Sequence, residues 1–546
     1  MILDYNSGTG AFFLRVMRGE ADPRVLMREH GLDFSTSASR GGEAVLLTHN
    51  PYAAASFGQH ATPQAYAQLG GILAEIKNSW KETGSANIRV PADKELWPFQ
   101  IADIEYALGR RNTLVGDQPG LGKTPVAIAF ANEIGARRVL AIVPANIRLQ
   151  WARMVREWST MRWPYVVYPV LNGKRGVHPT AEWTIVSYDL ARTPAVGAAL
   201  ARGHYDLLIL DEAHYVKTID SKRTRAIFGG GENPLFTALA ERSDRVMALT
   251  GTPLPNRPRE AYTLARGLHF DSIDWLSEER FRDRFNPSAT ITGTRADGSS
   301  YTFVREEAGR HGELQNRLRA NFMVRHLKAD VMKQLKLPIY DVVLVDETEA
   351  VKQALAAESM LEIDPSDGEI FGSADMEIMG HVAAVRHQMG VAMAPLAVEY
   401  CKMVLNGGEP KIFVFAWHIE VLNILERELA RYGTIRIDGS VGPTKRQRLV
   451  DRYISDPSIR VAIGNIQSIG TGTDGLQKVC SHTIGAECSW VPGENQQVVD
   501  RLHRGGQTRT VLADFLVAPG SISERILSSS LRKLQETDKV LDRRAA

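Results

Sequence analysis

A chain of 546 residues with 44% hydrophobic and 23% charged residues is too long for one core and reads as an ordinary soluble globular protein of several folding units. Its formal net charge of +2 neither requires nor excludes a polyanionic partner, and Cys401, Cys480 and Cys488 lack the spacing of a disulfide framework or zinc site, which fits a reducing intracellular compartment. The N-terminus "MILDYNSGTGAFFLRVMRGE" has no signal-peptide layout, and no apolar run approaches the roughly 18 residues of a membrane span.

Residues 1–90 mix a possible strand, "EAVLLTHN", with a helical stretch, "TPQAYAQLGGILAEIKNSW", and are expected to form a small accessory domain. Five apolar runs follow: "NTLVGD" (112–117), "RVLAIVPA" (138–145), "WTIVSYD" (183–189), "DLLILDEA" (206–213) and "RVMALTGTP" (245–253). Several end in glycine or a polar residue, and helical patterns separate them, which predicts a parallel sheet covered on both faces. A second series is "KIFVFAW", "TIRIDG", "RVAIGN", "HTIGAE" and "VLADFLVA". The expected class is α/β, with two tandem parallel-sheet lobes. The boundaries predicted are 91–345 for the first lobe with an insertion at about 265–320, 346–400 for a linker or insertion, 401–525 for the second lobe and 526–546 for a C-terminal helix or tail. The patches "NPSATITGTRADGSSYTF" and "ESMLEIDPSDGEIFGSADMEI" read as insertions or exposed loops.

"VGDQPGLGKTPVAIAF" leaves a strand and opens a helix. Gly120 and Gly122 let backbone amides approach a polyphosphate, Lys123 can reach the β- and γ-phosphates, and the Thr124 hydroxyl can ligate Mg²⁺. Asp117 stands where the strict phosphate-loop pattern has its first glycine. In "LLILDEAH", Asp211 ends an apolar strand, where its carboxylate can hold Mg²⁺ through water, while Glu212 can orient and deprotonate an attacking water. Gln100, about 20 residues before the phosphate loop, suits an adenine edge because an amide both donates and accepts. Thr250 and Thr252 of "ALTGTP" can link the nucleotide pocket to a second ligand, or simply set a turn with Gly251 and Pro253.

Near the C-terminus, "QQVVDRLHRGGQ" places Gln497, Arg501 and Arg504 on one helical stripe at i, i+4 and i+7. From a second lobe the two arginines can reach a γ-phosphate held by the first, so that hydrolysis is coupled to lobe motion. Asp500 offers Arg504 a local ion pair as the competing use.

Taken in this order, the elements resemble the superfamily 2 helicase core, and within it the Swi/Snf-type DNA translocases. The likeness covers about residues 91–525. It includes "VPANIRLQWARMVREW" with Trp151 and Glu157, "FMVRHLKADVMKQLKLP", "IDGSVGPTKRQRLVDRY", and the Glu487, Trp490, Pro492, Gly493 pattern leading into D-R-x-H-R-x-G-Q. Within that branch the chain looks most like the annealing-helicase, HARP-type group. It departs at Asp117-Gln118-Pro119, at "GTGTDGL" and at Gly505, none of which removes a phosphate or metal ligand. The resemblance implies RecA-like lobes, a DNA-stimulated ATPase that uses ATP and Mg²⁺, Asp474 and Gln497 as further nucleotide-binding residues, and DNA tracked through its backbone. Asn146, Ser187, Thr250, Arg325 and Lys328 are the candidate DNA contacts by motif position. It also implies a monomer acting on duplex or branched DNA, with single-stranded-DNA-binding or replication proteins as further partners and no membrane. The expected setting is the cytoplasm of a bacterial or phage-infected cell, or the nucleus of a eukaryote. A strand-separating helicase, an RNA-dependent ATPase and a non-hydrolysing nucleic-acid scaffold are the competing readings.

Overall fold

The apolar runs read as strands all fold as strands in a computed structural model. The structure describes the chain except residues 18, 35–42, 163, 175, 231–235, 252, 254–257, 295–299, 307–308, 360–375, 470–474, 490–491, 522, 526 and 528–546. The first sheet has 7 strands in the order Met323–Val324, Asn112–Val115, Ser243–Leu249, Tyr205–Asp211, Val139–Val143, Trp183–Ser187, Val167–Pro169. Every neighbouring pair in it is parallel. Val139–Val143 is buried along its whole length because alternate residues serve opposite faces. Leu140 and Ile142 enter one core, and Val139, Ala141 and Val143 enter the other.

The second sheet has 6 parallel strands in the order Ile339–Leu344, Leu512–Val517, His482–Gly485, Ile412–Ala416, Val461–Asn465, Thr434–Ile437. Its edge strand Ile339–Leu344 lies inside the range expected for the first lobe, so the chain has already crossed to the second sheet by residue 339.

Both segments expected as insertions carry helices with buried faces. Helices Ala261–His269, Glu278–Phe285 and His311–Asn321 occupy much of the segment 265–320, and Phe281, Phe285 and Leu314 are fully buried in the first lobe's core. The glycine- and serine-rich patch there is an antiparallel hairpin, Ser288–Thr294 against Ser300–Glu306. In the segment 346–400, helix Glu349–Ser359 and the 31-residue helix Met376–Asn406 bury Val351, Ala354, Met389 and Met393 against the second sheet. Most of the acidic patch and the tail from 528 fall outside the described residues.

The N-terminal segment is a domain with its own core: a 4-stranded antiparallel sheet beside helix Pro63–Asn78. It is joined to the first lobe through helix His311–Asn321. There the Asn316 amide donates to the Tyr52 carbonyl (2.8 Å), and the Arg319 guanidinium lies 3.3 Å from the centroid of Trp80. Among the described residues no helix is long and apolar enough to cross a membrane.

Candidate active site between the lobes

The phosphate loop begins where strand Asn112–Val115 ends. The strand register continues into it: Gly116 N–H donates to the Val324 carbonyl (2.8 Å) and Gln118 N–H to the His326 carbonyl (3.1 Å). Gly120 (φ 91°) and Gly122 (φ 80°) adopt left-handed conformations that disfavour a side chain. A Cβ on Gly122 would also lie 2.5 Å from Gln100 Nε2. Helix Lys123–Glu133 follows, and its N-terminal amides form an anion-binding end. Lys123 Nζ donates to the Asp117 carbonyl (2.6 Å), and burial draws its pKa below the usual value despite Glu212, Asp117 and Asp211 nearby. A polyphosphate would supply the missing negative charge.

Gln100 is buried and its amide is spent on the protein. Its oxygen accepts from Trp97 N–H (2.9 Å) and its Nε2 donates to the Leu121 carbonyl (2.9 Å), so it braces the phosphate loop. Asp117 is a second brace. Its carboxylate accepts from His326 N–H (2.8 Å) and lies 3.2 Å from the ring Nδ1, with Asp103 3.1 Å from the same nitrogen. Burial opposes charging His326, but the two carboxylates prevail and raise its pKa well above the ordinary value.

The carboxylate pair sits opposite the loop. Asp211 is fixed by the Trp151 indole N–H (2.7 Å) and the Glu212 N–H (3.0 Å), and its carbonyl accepts from the Tyr188 hydroxyl (2.8 Å). Burial, then the adjacent Glu212 charge, push its carboxyl up to about 6. Glu212 holds a left-handed backbone (φ 54°), a strained conformation for a non-glycine residue that aims its side chain at the cavity. Burial alone would raise its pKa, yet the His214 contact at 3.3 Å, Lys123 and Arg501 hold it below the ordinary value. His214 Nδ1 also lies 3.2 Å from the Thr250 hydroxyl, tying the D-E-A-H turn to the "ALTGTP" segment.

The Thr124 hydroxyl and the Asp211 carboxylate line the same cavity, and an all-oxygen donor set beside an incompletely compensated carboxylate fits Mg²⁺. Bound there, the ion would neutralise phosphate charge. Trp151→Phe removes the indole donor to Asp211 and also leaves a void in the first lobe's core, so its melting profile is read beside its activity. We expect kcat for ATP hydrolysis to fall by roughly tenfold, consistent with loss of one hydrogen bond to a charged group, and the Mg²⁺ concentration for half-maximal rate to rise. A magnesium titration of ATPase rate checks both.

The cavity, of about 280 Å³, is closed from the second lobe by Asp500, Arg501 and Arg504. Gly120 lies so close to Arg504 that an added Cβ would stand 2.8 Å from the arginine Cβ. The expected single helical stripe is corrected: helix Pro492–Val499 ends before either arginine. Tighter turns then carry the chain through Arg501 N–H→Val498 O (3.1 Å) and Arg504 N–H→Leu502 O (3.1 Å), into Gly506 at φ 88°. Gln497 is buried and does not line the cavity. Asp500 pairs across the gap with Lys328 Nζ at 2.5 Å.

Four of the five candidate DNA contacts are buried and bonded within the protein. Ser187 caps a short helix, accepting from Leu190 N–H (3.4 Å). Thr250 meets His214, Arg325 donates to the Gly116 and Gly251 carbonyls, and Lys328 reaches Asp500. Asn146 alone is partly exposed, in the turn after strand Val139–Val143. Asp474, Thr252 and Trp490 lie outside the described residues. The contacts made by Tyr188, His214 and His326 had no sequence signal beyond their neighbours' motifs.

A family model for the SNF2-related domain matches residues 48–381. The DNA annealing helicase and endonuclease ZRANB3 of Bos taurus is 30% identical over 458 residues, 82% of this chain and 41% of that protein. SWI/SNF-related matrix-associated actin-dependent regulator of chromatin subfamily A-like protein 1 of Xenopus tropicalis is 28% identical over 487 residues, 88% and 48% of the two chains. This chain therefore spans less than half the length of these curated relatives. A solved SWI2/SNF2 ATPase core of Sulfolobus solfataricus in complex with dsDNA is similar at 18% identity and a TM-score of 0.37, over 84% of this chain and 99% of that one. With its phosphate loop, its D-E-A-H carboxylates and its facing arginines in one interlobe cavity, the chain belongs to the SNF2-related domain family.

Proposed function

We propose that the protein is a DNA-stimulated ATPase that moves on duplex or branched DNA and remodels or reanneals it. The observation behind this reading is the interlobe cavity itself, where Lys123, Asp211 and Glu212 of one lobe meet Arg501 and Arg504 of the other. A nucleotide bridging the two lobes closes them, and its hydrolysis releases them. That cycle is what a stepping motor needs. DNA as the track, and annealing as the outcome, are supported by the family and by the relatives whose names describe DNA annealing helicases. ATP is the nucleotide and Mg²⁺ its counterion, held by Thr124 and Asp211. Because one chain supplies both halves of the cavity, a monomer suffices.

The deciding measurement is ATPase rate with single-stranded, duplex and forked DNA and with RNA. Duplex or forked DNA is expected to stimulate turnover at least about tenfold more than RNA, and forked DNA with complementary arms is expected to reanneal under ATP. Equal stimulation by RNA, or strand separation without reannealing, would overturn the assignment.

A further inference from the structure

Lys328 and Asp500 come from different lobes and are 2% and 5% exposed. The ammonium donates to Asp500 Oδ1 at 2.5 Å and also to the His503 carbonyl, so it grips the turn that carries both arginines. Its own backbone is pinned to the phosphate loop: Lys328 N–H donates to Gln118 Oε1 (2.8 Å), and a Cβ on Gly120 would lie 3.5 Å from Lys328 Cε. Lys328 therefore touches the phosphate loop and the arginine turn at once.

We propose that the Lys328–Asp500 pair is a registry latch, a positioning contact that admits lobe closure only in the alignment that sets Arg501 and Arg504 over the phosphate loop. The inference rests on the two-lobe ATPase reading given above. A buried ion pair is poor glue. Burial lowers the Lys328 pKa to about 8 even with Asp500 in contact, and Arg504 and Lys123 press in the same direction. Asp500, which burial would raise, is held below its ordinary value by Lys328 and His503. The pair thus adds little net attraction over water, but any closed alignment that separates the partners strands two buried charges. Misaligned closure is penalised, and correct closure is permitted.

A double-mutant cycle on the full chain tests this, with Lys328→Met, Asp500→Leu and the double variant, and Asp500→Asn as a milder second probe. Each single variant, Asp500→Asn included, is expected to lower DNA-stimulated kcat by about 10–100-fold, with equilibrium binding of a fluorescent ATP analogue within about threefold and an unchanged melting profile. The paired apolar variant is expected to turn over at least about tenfold faster than either parent, because no unpaired charge is left to bury. A role in lobe stability alone would lower the melting profile of the single variants and restore it in the double, with turnover following only the folded fraction. Additive losses in the double variant, or wild-type kcat in the folded single variants, would overturn the latch. Arg501→Ala, run alongside, separates the two readings. If it too retains wild-type turnover, the two-lobe ATPase fails; if it loses turnover while the latch variants keep theirs, only the latch fails.

Discussion

Glu212→Gln is expected to bind ATP within about threefold of the native affinity while kcat falls by roughly 10²–10⁴, the usual worth of a positioned general base. The substitution preserves side-chain shape and a polar contact to His214, so the loop that grips the phosphates is undisturbed. It removes the one function an amide cannot supply, acceptance of a proton from the attacking water. Glu212 is suited to that task because His214, Lys123 and Arg501 outweigh its burial and keep it ionised beside Asp211, whose carboxyl is pushed the other way. Two adjacent carboxylates driven apart in this manner divide the work: one to stand near the cation, one to take the proton. Neutralising Glu212 relieves repulsion on Asp211 but removes the charge that faces His214, Lys123 and Arg501, so a modest drop in thermal stability is expected. Steady-state phosphate release with saturating duplex DNA, together with nucleotide-binding titration, reads both quantities. Native turnover in the Gln variant would remove Glu212 from its assigned role.

Parts of this fold and site are legible in the sequence itself. Strands buried on both faces must be apolar throughout, so runs such as "RVLAIVPA" and "KIFVFAW" stand out from any neighbour. A phosphate loop is equally legible, because positive φ at Gly120 and Gly122 is a backbone demand visible as residue identity. The helices within 265–320 were not legible as core. "EERFRDRF" buries only Phe281 and Phe285 in a setting of charge, so its four-residue spacing is easily taken for surface. Burial of single polar residues was the other gap. Lys328 in isolation reads as a surface cation suited to a phosphate backbone. What reassigns it is Asp500, 172 residues further on, and no local pattern reports a contact at that separation. Ser187 and Arg325 follow the same logic: the first is taken by a helix cap and the second by loop carbonyls.

Arg501→Ala is expected to cost kcat about 10³-fold or more, with Arg504→Ala close behind, because charge developing on the transferred phosphoryl group would lose its donors from the second lobe. Ground-state ATP affinity should change far less, since Lys123, the helix Lys123–Glu133 and the glycine turns remain in the first lobe. Lysine should not restore Arg501: the phosphoryl oxygens call for a planar fork of donors, and an ammonium offers a point charge on a flexible stem. If the two arginines serve one phosphoryl group, the double alanine variant should be scarcely worse than the poorer single one, in place of a product of both losses. Arg504 has an additional duty. It packs against Gly120 and shares its turn with the Asp500 that Lys328 grips, so its loss should also loosen the closed alignment and raise KM more than the loss of Arg501 does. Single-turnover rates and KM for ATP across the three variants discriminate these cases. Native rates in Arg501→Ala would mean that the lobes meet at this cavity without sharing its chemistry.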